Sequence, residues 1–330
     1  MKKILFAIVM VGVGATFFLY SGYSSALRYT LNPTGSDRIT ISVPEGATGS
    51  QVADLLYKKG LIKSATAFSF YLRQHELGDQ IKAGRFVFQE NYDLPKIVEI
   101  LVSGKTSEFA VTLLEGWTLK QIGEKLAADG LTTPDDFKKC LTDCQFDYNF
   151  LPKDYLEGYL YPDTYFVNPS SYTNQAFIDR LIGTLKSKLS DEDWKAINAS
   201  NRSFTDIMIM ASIVEREERN EKEKPTVAGI LWNRIDAGIG LGADATILYG
   251  LGRTGGGLSY EDLQLDSPYN TRKYAGLPPT PICNPSVSSI RAALYPKTTD
   301  YWYYLHDDNG LIHYARTLDE HNVNKSRYIR

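Results

Sequence analysis

One glutamate, Glu215, stands where a carboxyl group could donate a proton. It is the first acidic residue after the apolar segment 207–214, which only Ser212 interrupts. On a helix, the Glu215 side chain would lie over Ala211 and Ser212 and continue the buried face. Apolar surroundings disfavour a carboxylate, so we expect a raised pKa for Glu215, as a general acid requires. The alternative is that the charged segment 215–224 is a solvated helix face.

Other residues with reactive side chains do not form a metal-binding pattern. His313 and His321 could be a metal-binding or base pair, but no third ligand lies near them in the sequence, which favours a structural role. Cys140 and Cys144 lack a second pair or a histidine at ligand spacing. Outside the cytoplasm these two cysteines could form a disulfide; otherwise they are free thiols. We therefore predict no metal and no cofactor.

The composition excludes an obvious polyanion partner. The chain has 330 residues, a net charge of −3 and a pI of about 5.9, without the basic excess of nucleic-acid-binding proteins. Its 22 tyrosines could contact carbohydrate rings or simply pack in a core. The same two interpretations apply to segment 156–166, where four aromatic residues alternate with Glu157 and Asp163.

A helix must carry Glu215, and its ends can be predicted. Ser203 or Thr205 can cap a helix that begins near Asp206. Pro225 should stop or offset this helix after the charged segment. The buried part of the helix then ends at the glutamate itself.

The N-terminus predicts export from the cytoplasm. Residues 4–23 are almost entirely apolar and follow Lys2 and Lys3. This length spans a bilayer, and the two lysines place the N-terminus in the cytoplasm. A cleaved signal peptide is the alternative, because the small residues 24–26 suit a cleavage site. We favour a retained anchor, since the apolar run is longer than a typical signal core.

A strand–turn–helix unit occurs twice after the anchor. Glu45 and Gly46 have counterparts in Glu115 and Gly116 at a constant offset of 70 residues, and the match extends to the apolar positions of the following helix. We expect Thr48 and Thr118 to cap these helices. Between the copies we predict a helix over 65–77, a strand over 83–88 and a helix over 94–102. The resulting small α+β module resembles, loosely, the LysM type of glycan-binding module.

Several long motifs occur together in a characteristic order. One is Ala211-Ser212-Ile213-Val214-Glu215-Arg216-Glu217, and the others span residues 156–165, 227–234, 267–271, 276–285, 313–317 and 320–322. In this order and spacing the chain resembles the YceG-like family of endolytic murein transglycosylases over roughly residues 40–330. The resemblance implies that Glu215 is the catalytic residue. Candidate substrate contacts are Ser212, Asn233, Asp244, Asn270 and Thr271.

Two departures from the family pattern lie near these candidates. The family usually has a Gln-Ser/Thr-Asp-Pro-Thr run, of which this chain keeps Asp244 and Thr246 but loses the Gln and the Pro. Arg272 replaces the tyrosine that often follows Asn-Thr in the family. These changes could alter substrate contacts, but they leave the acid in place.

The predicted organisation is that of an anchored α+β enzyme. We predict a cytoplasmic N-terminus at 1–3, a transmembrane anchor at 4–23, a tether at 24–38, a LysM-like module at 39–105 and a larger mixed α+β catalytic domain at 106–330. The resemblance implies cleavage of nascent peptidoglycan strands outside the cytoplasmic membrane, with peptidoglycan synthases as expected partners. Two alternatives stay open: a tethered glycan-binding protein without activity, and a muramidase-type hydrolase with Asp244 as its second carboxylate.

Overall fold

The computed structural model describes residues 2–104 and 108–329, and it describes side chains at residues 10 and 14 and from residue 16 onward. The predicted boundary between residues 105 and 106, and residues 1 and 330, lie outside the described residues. The chain divides into two compact units. The first comprises 1–111, 124–133 and 165–173, and the second comprises 112–123, 134–164 and 174–330.

The elements confirm a mixed α+β protein. The strands are β1 (Arg38–Val43), β2 (Gly84–Gln89), β3 (Phe109–Thr112), β4 (Thr164–Val167), β5 (Tyr303–His306) and β6 (Ile312–Ala315). The helices are α1 (Lys2–Leu27), α2 (Gly49–Lys58), α3 (Ala65–Gln74), α4 (Leu94–Ser103), α5 (Leu119–Ala128), α6 (Pro134–Asp143), α7 (Asn174–Lys188), α8 (Asp191–Ala199), α9 (Phe204–Glu217), α10 (Lys224–Asp236), α11 (Asp244–Gly250), α12 (Val287–Leu294) and α13 (Leu318–Tyr328). Within the described residues, the strands form three two-stranded sheets, β1–β2, β3–β4 and β5–β6.

Helix α1 covers the predicted anchor and extends a few residues beyond it. No helix among the described residues is both long enough and apolar enough to cross a membrane.

The first unit has a core between one sheet and its helices. β1 and β2 pair antiparallel, with Ile41 opposite Phe86, and helices α2 and α3 connect them. Side chains from these elements and from α4, among them Phe68 and Ile97, are fully buried together. The observed bounds of α3, β2 and α4 agree with the predicted segments within a few residues. The two helices have an amphipathic pattern and an N-terminal cap, Ser64 for α3 and Asp93 for α4.

The repeat is confirmed in backbone detail. Gly46 and Gly116 have φ angles of 74° and 75°, in the left-handed region that glycine tolerates best. Thr48 N–H donates to Gln51 Oε1 (2.8 Å), and Thr118 N–H donates to Gln121 Oε1 (3.0 Å). The same capping chemistry therefore begins α2 and α5.

The second unit is built around α9. This helix packs most extensively on α12, and also on α10 and α11. Every residue from Ile207 to Val214 is buried.

Three tyrosines of the aromatic segment, Tyr159, Tyr161 and Tyr165, are at most 5% exposed, which supports the packing interpretation. Cys140 and Cys144 form a disulfide, and Cys283 is a buried free thiol.

Candidate active site

Helix α9 ends at Glu217, two residues after Glu215. Ser203 caps the helix in a reciprocal arrangement with Asp206, so the helix begins two residues earlier than predicted. Glu218 N–H closes the last turn on Val214 O (2.9 Å). The Glu215 side chain lies in this last turn and is only 9% exposed. The expected position of the acid on the edge of the buried face is confirmed.

One carboxylate oxygen of Glu215 accepts four hydrogen bonds. Its Oε2 accepts from the backbone N–H of Ser286 (3.0 Å), the Ser286 hydroxyl (2.5 Å), the Ser289 hydroxyl (2.7 Å) and Lys224 Nζ (3.3 Å). The other oxygen, Oε1, receives no hydrogen bond from the residues that the structure describes. The site therefore holds the carboxylate by one oxygen and leaves the other for a reacting group.

The two serines belong to the start of α12. Ser286 is the N-cap of this helix, and its hydroxyl accepts from Ser289 N–H (3.4 Å). The exposed amides and the positive end of a helix dipole stabilise a nearby anion. The Glu215 carboxylate therefore occupies a position that favours its charged form.

Lys224 provides a buried counter-charge at the start of α10. Its side chain is 4% exposed, and Nζ also donates to Ser286 Oγ (3.2 Å) and Ser288 Oγ (3.1 Å). The dipole of α10 is unfavourable for a positive charge at its N-terminus, so the helix itself does not stabilise the Lys224 ammonium. The ion pair with Glu215 does stabilise it, because buried charges are normally paired.

These contacts correct the expectation about acidity. Burial acts to raise the pKa of Glu215, as predicted from its apolar neighbours. The Ser286 and Ser289 hydroxyls, the Lys224 ammonium and the Ser286 amide outweigh burial and hold the pKa below its ordinary value. The prediction of a raised pKa was wrong for the substrate-free protein, because the donors come from helices distant in sequence.

Asn284 links the loop before α12 to two other segments. It is fully buried, its N–H and its side-chain amide both donate to Trp117 O (2.8 and 2.9 Å), and its Oδ1 accepts from Leu160 N–H (2.8 Å). The same amide donates to Glu157 Oε1 (3.3 Å). Ser286, two residues further on, is thereby fixed in position.

Glu157 is a buried acid in the loop before β4, and it binds the first amide of α5. It accepts from Leu119 N–H (3.0 Å) and Tyr249 OH (3.2 Å). Burial raises the pKa of Glu157 to about 8, although these hydrogen bonds lower it. The next residue, Gly158, has a φ of 92°, and a Cβ there would lie 2.5 Å from Pro281. Glycine is therefore required for this close approach.

The charged segment after Glu215 is not a solvated helix face. Three of its acids bond side chains of the β5–β6 hairpin: Glu217 accepts from Tyr304 OH (3.0 Å), Glu218 Oε2 lies 3.0 Å from His306 Nε2, and Glu223 accepts from Tyr314 OH (2.6 Å). Glu218 is 4% exposed. The solvated-face alternative is therefore wrong, since these acids attach the hairpin to the segment that carries the site.

Three predicted substrate contacts are buried and bonded internally. The Ser212 hydroxyl donates to Ile209 O (2.7 Å) and accepts from Ile282 N–H (3.0 Å). Asn270 donates through its amide to Leu263 O (3.0 Å) and Leu265 O (2.9 Å). The Thr271 hydroxyl accepts from Ala243 N–H (3.1 Å) and lies 2.9 Å from the Thr246 hydroxyl. Among the described residues, none of these three side chains forms a hydrogen bond with Glu215.

The other two candidates are more accessible. The Asn233 amide is partly buried and donates to Thr299 O (2.9 Å). Asp244 is exposed and pairs with Arg272 (2.6 Å), the residue that replaces the usual family tyrosine. The negative charge of Asp244 helps to raise the pKa of Glu217, after burial as the largest cause. The charge of Asp244 therefore acts on Glu217, which lies two residues after Glu215 in α9.

The two histidines have separate environments. His313 Nε2 lies 3.1 Å from Asp307 Oδ2, and its ring stacks on Tyr328. His321 stacks on Tyr303. No group of three His, Cys, Asp or Glu within the described ranges 2–104 and 108–329 could hold a metal ion.

Sequence reasoning missed the residues that bind the Glu215 carboxylate. Lys224 is one of nine charged residues in segment 215–224, and Ser286 and Ser289 lie just beyond the motif 276–285. The available signal was the run of three serines at 286, 288 and 289 after Pro285, which is typical of a helix start.

Comparison with known proteins identifies the family of this chain. Residues 41–327 match the YceG-like family. The chain belongs to the YceG-like family. A relative named endolytic murein transglycosylase from Bacillus subtilis (strain 168) is 33% identical, over 93% of this chain and 89% of its own length. A relative of the same name from Streptococcus pneumoniae (strain D39) is 28% identical over 94% of this chain, which spans 62% of that longer protein.

A solved structure of this family has the same fold. The crystal structure of a YceG-like protein from Listeria monocytogenes has a TM-score of 0.62 and 29% sequence identity. It covers 87% of this chain and 98% of its own chain.

Proposed function

We propose that this YceG-like protein is an endolytic peptidoglycan lytic transglycosylase with Glu215 as its acid/base. The proposal rests on the hydrogen bonds of the Glu215 carboxylate. Four donors hold its Oε2, and its Oε1 remains for a substrate. The family and the relatives named endolytic murein transglycosylase supply the substrate, the glycan strands of the bacterial cell wall.

The reaction needs one carboxyl group and no water. Protonated Glu215 donates to the oxygen of the β-1,4 bond between N-acetylmuramic acid and N-acetylglucosamine as that bond breaks. The 6-hydroxyl of the oxocarbenium-like sugar then attacks its own C1, and its proton passes to the Glu215 carboxylate. The product is a 1,6-anhydro end. The nucleophile is already attached to the substrate, so little entropy is lost in positioning it.

The lowered pKa of Glu215 requires a step before bond cleavage. The lowered pKa favours the carboxylate form of Glu215, which suits the second, base half of the reaction. A bound glycan excludes water and adds to the burial that already acts to raise this pKa. Protonation of Glu215 is thus coupled to substrate binding.

The remaining predicted substrate contacts enter this proposal in two roles. Asp244 is exposed and keeps its proposed role in direct contact with the glycan. For Ser212, Asn233, Asn270 and Thr271, whose polar groups bond the protein itself, we propose that they support the surfaces that touch the substrate.

Residues 4–23 remain our proposed membrane anchor, with the catalytic domain outside the cytoplasm. Lys2 and Lys3 precede the apolar run, and the apolar side chains of Phe17, Phe18 and Leu19 are each more than 70% exposed. Such exposure is unfavourable in water and favourable in lipid. Edman sequencing of the mature protein tests this, because a start near residue 27 would support a cleaved signal peptide instead.

The module 39–105 remains our proposed LysM-like glycan-binding part. Its strand–helix–helix–strand order, β1-α2-α3-β2, supports this proposal. Synthases of peptidoglycan are the proposed protein partners, since the substrate is a nascent strand.

Product analysis tests the proposed function. The full chain in detergent is incubated with uncrosslinked glycan strands, and the products are analysed by mass. We expect 1,6-anhydro ends within strands, and we expect Glu215→Gln to abolish them. Reducing ends would support a muramidase-type hydrolase, and no cleavage would support a glycan-binding protein. Full activity of Glu215→Gln would refute the assignment of the acid.

A further inference from the structure

The connection 218–223 joins the helix of the acid to the helix of its counter-charge. α9 carries Glu215 in its last turn, and α10 begins at Lys224. Connections between helices move more than the helices they join. The ion pair is also long for a charge-assisted hydrogen bond, with 3.3 Å between Nζ and Oε2 against the usual range of about 2.7–2.9 Å. The spacing of the two charges therefore depends on what holds the connection.

A pair of tyrosines on the β5–β6 hairpin spans this connection. Tyr304 of β5 lies directly opposite Tyr314 of β6 in the antiparallel register. Tyr304 OH donates to Oε2 of Glu217 at the end of α9 (3.0 Å). Tyr314 OH donates to Oε2 of Glu223 (2.6 Å), the residue before Lys224. Directly opposite side chains keep a short separation, so the pair ties the end of α9 to the start of α10.

The Tyr314 ring is itself held in place. It stacks on the Tyr301 ring, with centroids 5.1 Å apart and an interplanar angle of 16°. The Asn324 amide of α13 donates to Tyr314 O (3.2 Å). A fixed donor that bonds Glu223 over 2.6 Å restricts this residue and the backbone that follows it. The Tyr314 hydroxyl therefore acts on the point from which the Lys224 side chain starts.

We propose that Tyr314 is a positioning residue of the active site, which keeps Lys224 at hydrogen-bonding distance from Glu215. It does so through its bond to Glu223, the neighbour of Lys224 in the sequence. Tyr304 holds the other end of the connection. The inference rests on the proposed function, because Lys224 matters to the reaction only through the catalytic Glu215.

Loss of the Tyr314 hydroxyl should loosen the ion pair. Lys224 is one of the groups that hold the pKa of Glu215 below its ordinary value. When the ammonium moves away, the carboxylate loses part of this stabilisation and the pKa of Glu215 rises. The pH dependence of kcat/KM reports the ionisation of the free enzyme. The limb on which activity falls with rising pH should therefore move to higher pH.

The other ring of the stack provides a matched control. Tyr301 N–H donates to Thr299 Oγ1 (3.1 Å), and its hydroxyl has no hydrogen-bond partner within the part of the chain that the structure describes. Tyr301→Phe therefore removes the same atom from the same stack and leaves the bond to Glu223 in place. We expect its pH profile to match that of the wild type.

The test is the pH dependence of kcat/KM for the full chain in detergent on uncrosslinked strands. We expect Tyr314→Phe to move the falling limb up by about half a pH unit, which corresponds to roughly a threefold change in the ionisation of Glu215. Lys224→Met should move it in the same direction by at least about one unit. In the Lys224→Met background, Tyr314→Phe should cause no further shift, because the two residues act on one contact. All profiles are taken below the melting transition of each variant.

The outcomes separate this inference from the proposed function. With an active wild type and an inactive Glu215→Gln, an unmoved limb in Tyr314→Phe would overturn only the inference. An equal loss at every pH would also overturn it, because a structural defect lowers activity without moving the limb. A shift that persists in the Lys224→Met background, or one of equal size in Tyr301→Phe, would do the same. A wild type without anhydro products would refute the function and the inference with it.

Discussion

Replacing Lys224 with methionine tests whether charge organises the active site. Methionine fills a similar volume but leaves the Glu215 carboxylate without its buried counter-charge. In the wild type, Nζ lies 3.3 Å from Oε2 of Glu215, and the two side chains are 4% and 9% exposed. At this degree of burial, solvent screens the pair only weakly.

The expected cost can be bounded from the contacts. Loss of one hydrogen bond to a charged group costs at least about 1.5 kcal/mol. Removing one partner of a buried ion pair costs at most about 5 kcal/mol. The Ser286 and Ser289 donors remain in the variant, so we expect a loss of about 3 kcal/mol in the free energy of unfolding at neutral pH.

The cost must depend on pH if charge is the cause. The folded protein depresses the pKa of Glu215, so this group contributes stability that is present above its unfolded pKa and is lost as the pH falls. The unfolded value is about 4.3. The difference between the wild type and Lys224→Met should therefore shrink as the pH is lowered below about 4.3.

Urea denaturation of the full chain at a series of pH values measures this difference. Lys222→Met is the matched control, because Lys222 is exposed and lies two residues earlier on the same segment. In a Glu215→Gln background the cost of Lys224→Met should largely vanish, since no carboxylate is left to compensate. The same cost at every pH and in both backgrounds would refute the reasoning and assign Lys224 a packing role.

Three further predictions concern other contacts of the second unit. Ser289→Ala removes a 2.7 Å hydrogen bond to the Glu215 carboxylate, so the pKa of Glu215 should rise. In the pH–rate profile, the limb on which activity falls with rising pH should then move to higher pH, and an unmoved limb would contradict this. The raised pKa of Glu157 means that wild-type stability declines as the pH rises from its unfolded pKa towards about 8, whereas Glu157→Gln, followed by thermal melting, should lack this decline. Cys140→Ser should cost about 2 kcal/mol, because the Cys140–Cys144 disulfide closes a short loop; an unchanged urea midpoint relative to the wild type would argue against it.

Much of the local structure could be predicted from the sequence. The two turns at Gly46 and Gly116, and the Thr48 and Thr118 caps, follow from residue types within four positions of each other. Hydrogen bonds in caps and turns join near neighbours, so a local pattern is enough to predict them. The position of Glu215 on the edge of a buried helix face follows in the same way, from the period of the helix.

What the sequence alone determined was therefore the place of the acid, and not its chemistry. The predicted pKa had the wrong direction because apolar neighbours on the same helix were visible and the donors were not. Ser286 and Ser289 lie 71 and 74 residues away along the chain, and only the packing of α12 on α9 brings them to Oε2. The charge state of a buried carboxyl depends on every donor and charge within a few ångströms, so only the tertiary structure could decide it.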